Sequence, residues 1–270
     1  MQQRPATTSD TLKSDSALTR SGRTIGALIL REMGSTYGRS PGGYLWALLE
    51  PIGMILLLSL AFSLLLRSPS LGTSFLLFYA TGFLPFQIYQ KIENKVTGAL
   101  TYSRSLLAYP RVTWLDAVLA RAILNFLTMA MVFFIVMTGI LMTIDSRTVI
   151  DAPPIVTALA MMALLGFGVG LLNGVLKGLF PVWQQIWSIA SRPLFIASGL
   201  FFIYEDLPPL AQNILWWNPL FHGTGLARTG FYPTYDAAYV SLPYCFGFGL
   251  VCTALGLLLM RTHYKKALEN

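Results

Sequence analysis

The sequence predicts an all-α membrane protein with six transmembrane helices and both termini in the cytoplasm. Three observations predict it. Hydrophobic residues make up 54% of the 270 and charged residues only 11%, more apolar than an ordinary soluble domain of this length. Six apolar stretches, 45–66, 73–90, 112–143, 155–180, 182–204 and 241–260, are each long enough to cross about 30 Å of hydrocarbon as a helix. The basic residues also gather in alternate gaps. With both termini inside, 14 of the 19 fall in cytoplasmic segments, the bias that sets membrane orientation. That placement accounts for the net charge of +7 with no nucleic-acid partner.

Residues 1–22 are polar, rich in Ser, Thr and Asp, and lack the apolar core of a cleavable signal, so they read as a disordered cytoplasmic tail. Residues 23–40 read as an amphipathic helix lying in the membrane surface. Ile25, Leu28, Ile29 and Met33 recur on one side, with Arg31, Glu32 and Ser35 on the other. Pro41, Gly42 and Gly43 break that helix, and Tyr44 and Trp46 mark the interfacial aromatic belt. A single six-span domain follows over 41–265, closed by a short cytoplasmic tail at 266–270.

The loop between the second and third spans is too regular for a passive connector. Val96, Leu100, Leu106 and Leu107 form an apolar face beside Lys95 and Arg104, and Tyr109 and Pro110 end the segment. A short amphipathic helix facing the cytosol is either a membrane-surface element or a docking element for another protein, and the pattern alone does not choose. Arg121, inside the third span, can snorkel toward the cytosol. Asp116 is the carboxylate near it in sequence.

The fourth span carries Gly166, Gly170, Gly174 and Gly178 at a spacing of four, a stripe bare of side chains that lets helix backbones approach. Packing within one subunit, a dimer contact and a sliding surface all fit. The next cytoplasmic loop holds Lys177, Phe180, Pro181 and Trp183. Arg192 lies within the fifth span beside Pro193; an arginine at that depth must face the bundle interior or an aqueous path. It serves there either as a contact for an anionic substrate or as the partner of a carbonyl freed by the proline kink.

Residues 205–240 are rich in aromatics and punctuated by Pro208, Pro209, Pro219 and Pro233. The apolar run 210–217 is too short to cross. The segment therefore reads as two half-helices that enter the outer leaflet and return, tolerable only against protein or a cavity. Its rings, including Trp216, Trp217, Phe221 and Tyr232, form either an interfacial belt or flat faces on which sugars stack. Cys245 and Cys252 share one face of the last span and read as packing residues rather than metal ligands.

The residues offer no catalytic centre. No GxxxxGK followed by Ser or Thr occurs, so the chain has no phosphate-cradling loop of its own. His222 and His263 fall on opposite sides of the membrane in this topology, which disfavours a shared metal or acid–base pair.

A resemblance to a known family is carried by several stretches together. Leu30-Arg31-Glu32 through Tyr37-Gly38-Arg39-Ser40, then Gly43-Tyr44-Leu45-Trp46 through Glu50-Pro51, resemble the approach to the first span in membrane subunits of type-2 ABC exporters of cell-surface polysaccharide. Arg104 through Pro110 resembles their first coupling segment. Arg192-Pro193-Leu194, Ser198-Gly199, Leu207-Pro208, Asn218 through His222, and Arg228 resemble their fifth span and returning helices. Thr36 departs from the Arg that many members carry before the Tyr-Gly pair.

The likeness is nearest to the capsular-polysaccharide permeases of Gram-negative bacteria. It implies a multi-pass inner-membrane homodimer that binds two copies of a cytoplasmic ABC ATPase and exports lipid-linked polysaccharide. The chain itself would hold no cofactor, since ATP and Mg belong to the ATPase. Periplasmic and outer-membrane export proteins are the further partners implied. The resemblance assigns ATPase coupling to Lys95, Arg104, Leu107, Tyr109, Pro110, Lys177, Phe180 and Pro181. It assigns the substrate path to Arg192, Trp216, Trp217, Phe221, Arg228 and Tyr232, and the interface helix and its junction to Arg31, Glu32, Tyr37, Arg39, Trp46 and Glu50. Exporters of O-antigen or teichoic-acid chains would look similar, and a membrane-embedded glycan or lipid enzyme is the alternative of a different class.

Overall fold

The computed structural model describes residues 17–37, 42–107, 109, 112–144 and 149–269. Ten helices follow in chain order among them: α1 Ala17–Tyr37, α2 Gly43–Leu65, α3 Phe75–Thr97, α4 Ala99–Tyr102, α5 Trp114–Thr143, α6 Ala152–Leu179, α7 Trp183–Ile196, α8 Pro209–Leu215, α9 Pro219–Thr229 and α10 Leu242–Glu269. No strand occurs among the described residues.

Four helices, α2, α5, α6 and α10, are long and apolar enough to cross a membrane. Their uncovered flanks are apolar too: Leu57, Leu60 and Leu64 on α2, and Leu250, Val251 and Leu258 on α10, are more than half exposed. Lipid is the solvent that suits such a surface. α3 has 23 residues, but Lys91, Glu93 and Lys95 fill its last turns.

Local chemistry sets where the helices begin. Ser74 Oγ accepts from the Leu77 amide at 3.3 Å and opens α3. Thr113 and Asp116 form a reciprocal capping box at the start of α5. Pro153 and Pro154 sit in the first turn of α6, and Asn218 caps α9 with Pro219 in its first turn.

The core is built around α6, which packs on α3, α9 and α10. The four-residue glycine stripe is what lets it do so. A Cβ on Gly166 would lie 2.6 Å from the Tyr89 carbonyl oxygen, and one on Gly170 would lie 2.9 Å from that of Glu93. The bare stripe thus receives the backbone of α3 within the subunit. Cys245 and Cys252, both buried and free, lie on α10, where Cys252 faces Gly168 of α6 and Cys245 Sγ lies 3.9 Å from the Pro219 carbonyl oxygen of α9.

Three sequence expectations are revised. The helix expected from residue 23 begins at Ala17, so residues 17–22 belong to α1 rather than to a tail. The loop expected from Lys91 begins later, because α3 runs on to Thr97 and only α4 and the turns after it remain. The stretch 182–204 does not form one helix. α7 ends at Ile196 after 14 residues, about 21 Å and short of a ~30 Å core. Gly199 then adopts φ 76°, a left-handed conformation that glycine supplies at little cost.

Arg228 holds that break open. It donates through Nη1 to the Gly199 and Phe202 carbonyls at 2.7 and 3.1 Å and through Nη2 to Leu200 at 3.1 Å. Its guanidinium also lies 4.2 Å from the centroid of the Phe78 ring. Carbonyls that would otherwise continue the helical ladder are taken by a side chain 26 to 29 positions away.

Candidate functional site

A polar cleft of about 430 Å³ opens between the last turns of α3, the end of α6 and α7. It is lined by Gln90, Glu93, Asn94, Lys177, Trp183, Trp187, Ser188 and Arg192, among others. A second cleft, about 760 Å³, lies between α2, α3 and α7 and is mostly apolar, with Glu50, Gln87, Gln90, Ser191 and Arg192 as its polar groups. Gln90, Ser191 and Arg192 line both. Arg192 therefore stands where the two clefts meet, exposed, and among the described residues it has no ion-pair partner.

The floor of the smaller cleft is ordered by a hydrogen-bond chain. Thr97 Oγ1 and Asn173 Nδ2 donate to Glu93 Oε1 at 3.0 and 2.8 Å, and Trp183 Nε1 donates to Asn173 Oδ1 at 3.0 Å. Glu93 is only 4% exposed, so its carboxyl group is met by this chain rather than by water. The chain reaches from α3 through α6 to the first residue of α7. At the rim of the larger cleft, Lys91 Nζ pairs with both Glu50 carboxylate oxygens at 2.8 and 2.7 Å.

The residues assigned to ATPase coupling divide between these walls and an exposed rim. Lys95 is half-buried, and Leu107 packs partly buried against the core. Arg104 is exposed and Tyr109 is 65% exposed. Lys177 lines the smaller cleft, and Phe180 and Pro181 are exposed at the turn that follows α6. Pro110 lies outside the described residues.

The residues assigned to the substrate path do not share one surface. Trp217 is 67% exposed and Trp216 partly so, whereas Phe221, Arg228 and Tyr232 are 1%, 1% and 8% exposed. Arg228 is committed to the 199–202 carbonyls. Phe221 is enclosed by Phe202, Tyr204 and Tyr239. The aromatic segment is an internally packed cluster with one ring turned outward: Tyr204 stacks on Tyr239 at 4.2 Å and Trp216 on Tyr244 at 5.2 Å between centroids. Burial and the nearby Glu205 carboxylate push the Tyr235 phenol up, so its hydroxyl remains a neutral donor to Glu205 Oε2 at 3.2 Å.

His222 ties this cluster to α10. Its Nδ1 accepts from the Ser241 amide at 3.2 Å, which leaves Nε2 as the donor to the Trp216 carbonyl at 2.7 Å.

Of the interface-helix residues, Arg31 is exposed, Trp46 is 62% exposed and Glu50 carries the pair with Lys91. The Tyr37 side chain and Arg39 lie outside the described residues. Glu32, expected on the polar side, is 5% exposed and pairs with Arg121: Nε donates to Oε1 at 3.0 Å. Arg121 therefore does not snorkel; its anion comes from α1. Asp116 instead accepts from Ser21 and caps its own helix. Residues 89 positions apart give no periodic signal, and only the mismatch of an acidic group on the inward ridge of α1 could have pointed to the pair.

Residues 23–232 match the family described as ABC-2 type transporter. The chain is similar to the polysialic acid transport protein KpsM of Escherichia coli, 32% identical over 247 residues that cover 92% of this chain and 96% of that protein. It is also similar to the capsule polysaccharide export inner-membrane protein BexB of Haemophilus influenzae, 30% identical over 252 residues covering 92% and 93%. The protein CtrC of Neisseria meningitidis serogroup B, of the same description, is 28% identical over 248 residues with the same coverage.

Proposed function

The chain belongs to the ABC-2 type transporter family, and from that premise we propose that it is the permease subunit of an exporter that moves lipid-linked capsular polysaccharide across the bacterial inner membrane. The observation that carries this reading is the extent of the likeness: relatives named for capsule polysaccharide export align over 92% of the chain.

In this reading the chain crosses the membrane six times with both termini in the cytoplasm. α3 and the unit formed by α7 and residues 197–203 complete the four apolar crossings, and α8 and α9 dip into the outer leaflet and return. Energy comes from two copies of a separate cytoplasmic ATPase that hold ATP and Mg. Arg104 and Tyr109 after α4, with Phe180 and Pro181 after α6, are the exposed groups that meet it.

Two copies of the chain form the working unit. Two sparsely covered helices support this: α7 has no buried residue, and α2 buries only Pro51, Ile55 and Leu58 along 23 residues. Both line the larger cleft with Arg192, so a second copy placed against them would close a path with Arg192 on its wall. Periplasmic and outer-membrane export proteins would receive the polymer.

The test is purification of the tagged chain from native membranes. The expected result is co-recovery of an ABC ATPase in equal amount, with nucleotide hydrolysis that the chain alone lacks. Recovery of the chain alone, with no ATPase under mild detergent, would overturn the reading.

A further inference from the structure

Arg121 is the centre of a closed circuit that joins three elements. Its Nε donates to Glu32 on α1 at 3.0 Å, and its Nη1 donates at 3.0 Å to the carbonyl of Gly98, the residue between α3 and α4. The guanidinium lies 4.2 Å from the centroid of the Tyr102 ring on α4. The Tyr102 hydroxyl then meets Ser35 Oγ at 2.5 Å, and Ser35, one turn beyond Glu32, is back on α1. A second tie, from Ser21 to Asp116, holds the start of α1 to the start of α5. Ser21 and Glu32 are eleven residues apart, close to three helical turns, so both project from one face of α1.

A buried ion pair is a weak source of stability, because desolvation offsets much of its attraction. Its geometric demand is strong. The planar fork of Arg121 meets a carboxylate, a carbonyl and a ring face at once, and lysine offers no such combination. The two partners on α4 and the α3–α4 joint belong to the segment that, on the reading above, meets the ATPase.

We propose that Arg121 is the positioning residue for energy coupling: it locks the α4 segment to α1, so that displacement of α4 by the ATPase carries the surface helix with it as one body. The proposal rests on the reading of the chain as an ATPase-driven permease.

The experiment uses the full chain co-expressed with its ATPase in cells lacking the native copy. Two quantities are read, surface polysaccharide per inserted copy and ATP hydrolysis per purified complex. Glu32→Gln and Arg121→Lys should lower export roughly tenfold, inside the range usual for linked sites, while hydrolysis stays near that of the unaltered complex. The double variant should be no worse than either single one, since both open the same circuit. Tyr102→Phe opens the circuit at its exposed rim and removes no buried charge. It should lower export in the same direction with normal insertion, and it decides the matter if the charge variants insert poorly.

Export and hydrolysis falling together in all three variants, or export unchanged in Tyr102→Phe, would overturn the proposal. A wild-type complex that neither hydrolyses ATP nor exports would instead defeat the functional reading on which it rests.

Discussion

Asn173 joins Glu93 to Trp183, its Nδ2 donating to the carboxylate at 2.8 Å and its Oδ1 accepting from the indole at 3.0 Å. One amide on α6 thereby ties the buried acid of α3 to the first residue of α7, a helix that buries none of its own residues. Replacing Asn173 with Leu leaves Glu93 short of a donor and frees the Trp183 ring. The expected cost is about 1–3 kcal/mol, that of an unmet buried polar group. Denaturation of the purified protein in detergent measures it. Asn173→Asp should cost more, because it sets a second carboxylate against Glu93.

The glycine stripe makes a sharper contrast. Gly166→Ala and Gly170→Ala would drive a Cβ into the carbonyls of Tyr89 and Glu93, whereas a Cβ on Gly247 meets nothing within 4 Å. The first two should lose about 1–3 kcal/mol or more through overpacking, visible as reduced folded protein in fluorescence size-exclusion profiles. Gly247→Ala should be neutral.

Ring by ring, the aromatic segment should divide by burial. Trp217 is 67% exposed and Phe221 is 1% exposed. If glycan rings slide past this segment, Trp217→Ala should slow export at equal protein level, and Trp217→Leu should rescue little, because leucine supplies apolar area but no flat face. Phe221→Ala should act through stability, lowering inserted protein by the amount expected for a core cavity, about 3–5 kcal/mol. Surface polysaccharide per inserted copy separates the two effects. Full export by Trp217→Leu would leave the ring as a simple interfacial anchor.

Arg192 lines both clefts and should be wet. With Cys245 and Cys252 replaced by Ala, a cysteine at position 192 should react with a membrane-impermeant thiol reagent in inverted vesicles in at least one nucleotide state. Protection in every state would place Arg192 against protein or lipid instead.

Much of the fold is legible in the sequence, because lipid imposes a pattern that a short window detects. Unbroken apolar runs mark α2, α5, α6 and α10, and Pro208 and Asn218-Pro219 mark the starts of α8 and α9. The glycine spacing shows that α6 receives another backbone, although not that the backbone is α3. What escapes is set by distant side chains. Near Ile196 only Pro193 and Ser198-Gly199 mark the end of α7 locally; the carbonyls beyond it are captured by Arg228 from another helix. The Glu32–Arg121 pair likewise spans 89 positions.

The candidate site is legible only in part. Arg192 is conspicuous as a charge in an apolar stretch, and its place on two clefts agrees with the need for water or an anion beside it. Phe221, Arg228 and Tyr232 carry the same chemical types as exposed path residues would. Burial, which local sequence does not encode for a packed aromatic cluster, sets them apart.

The most direct test of the central claim is the location of the polymer when this chain is removed. Cells lacking it should make capsular polysaccharide but retain it inside, still attached to its lipid, with surface polymer restored by the wild-type chain. Surface polymer at normal levels without the chain, or no polymer made anywhere in the cell, would contradict an export role; the second result would point to a biosynthetic enzyme.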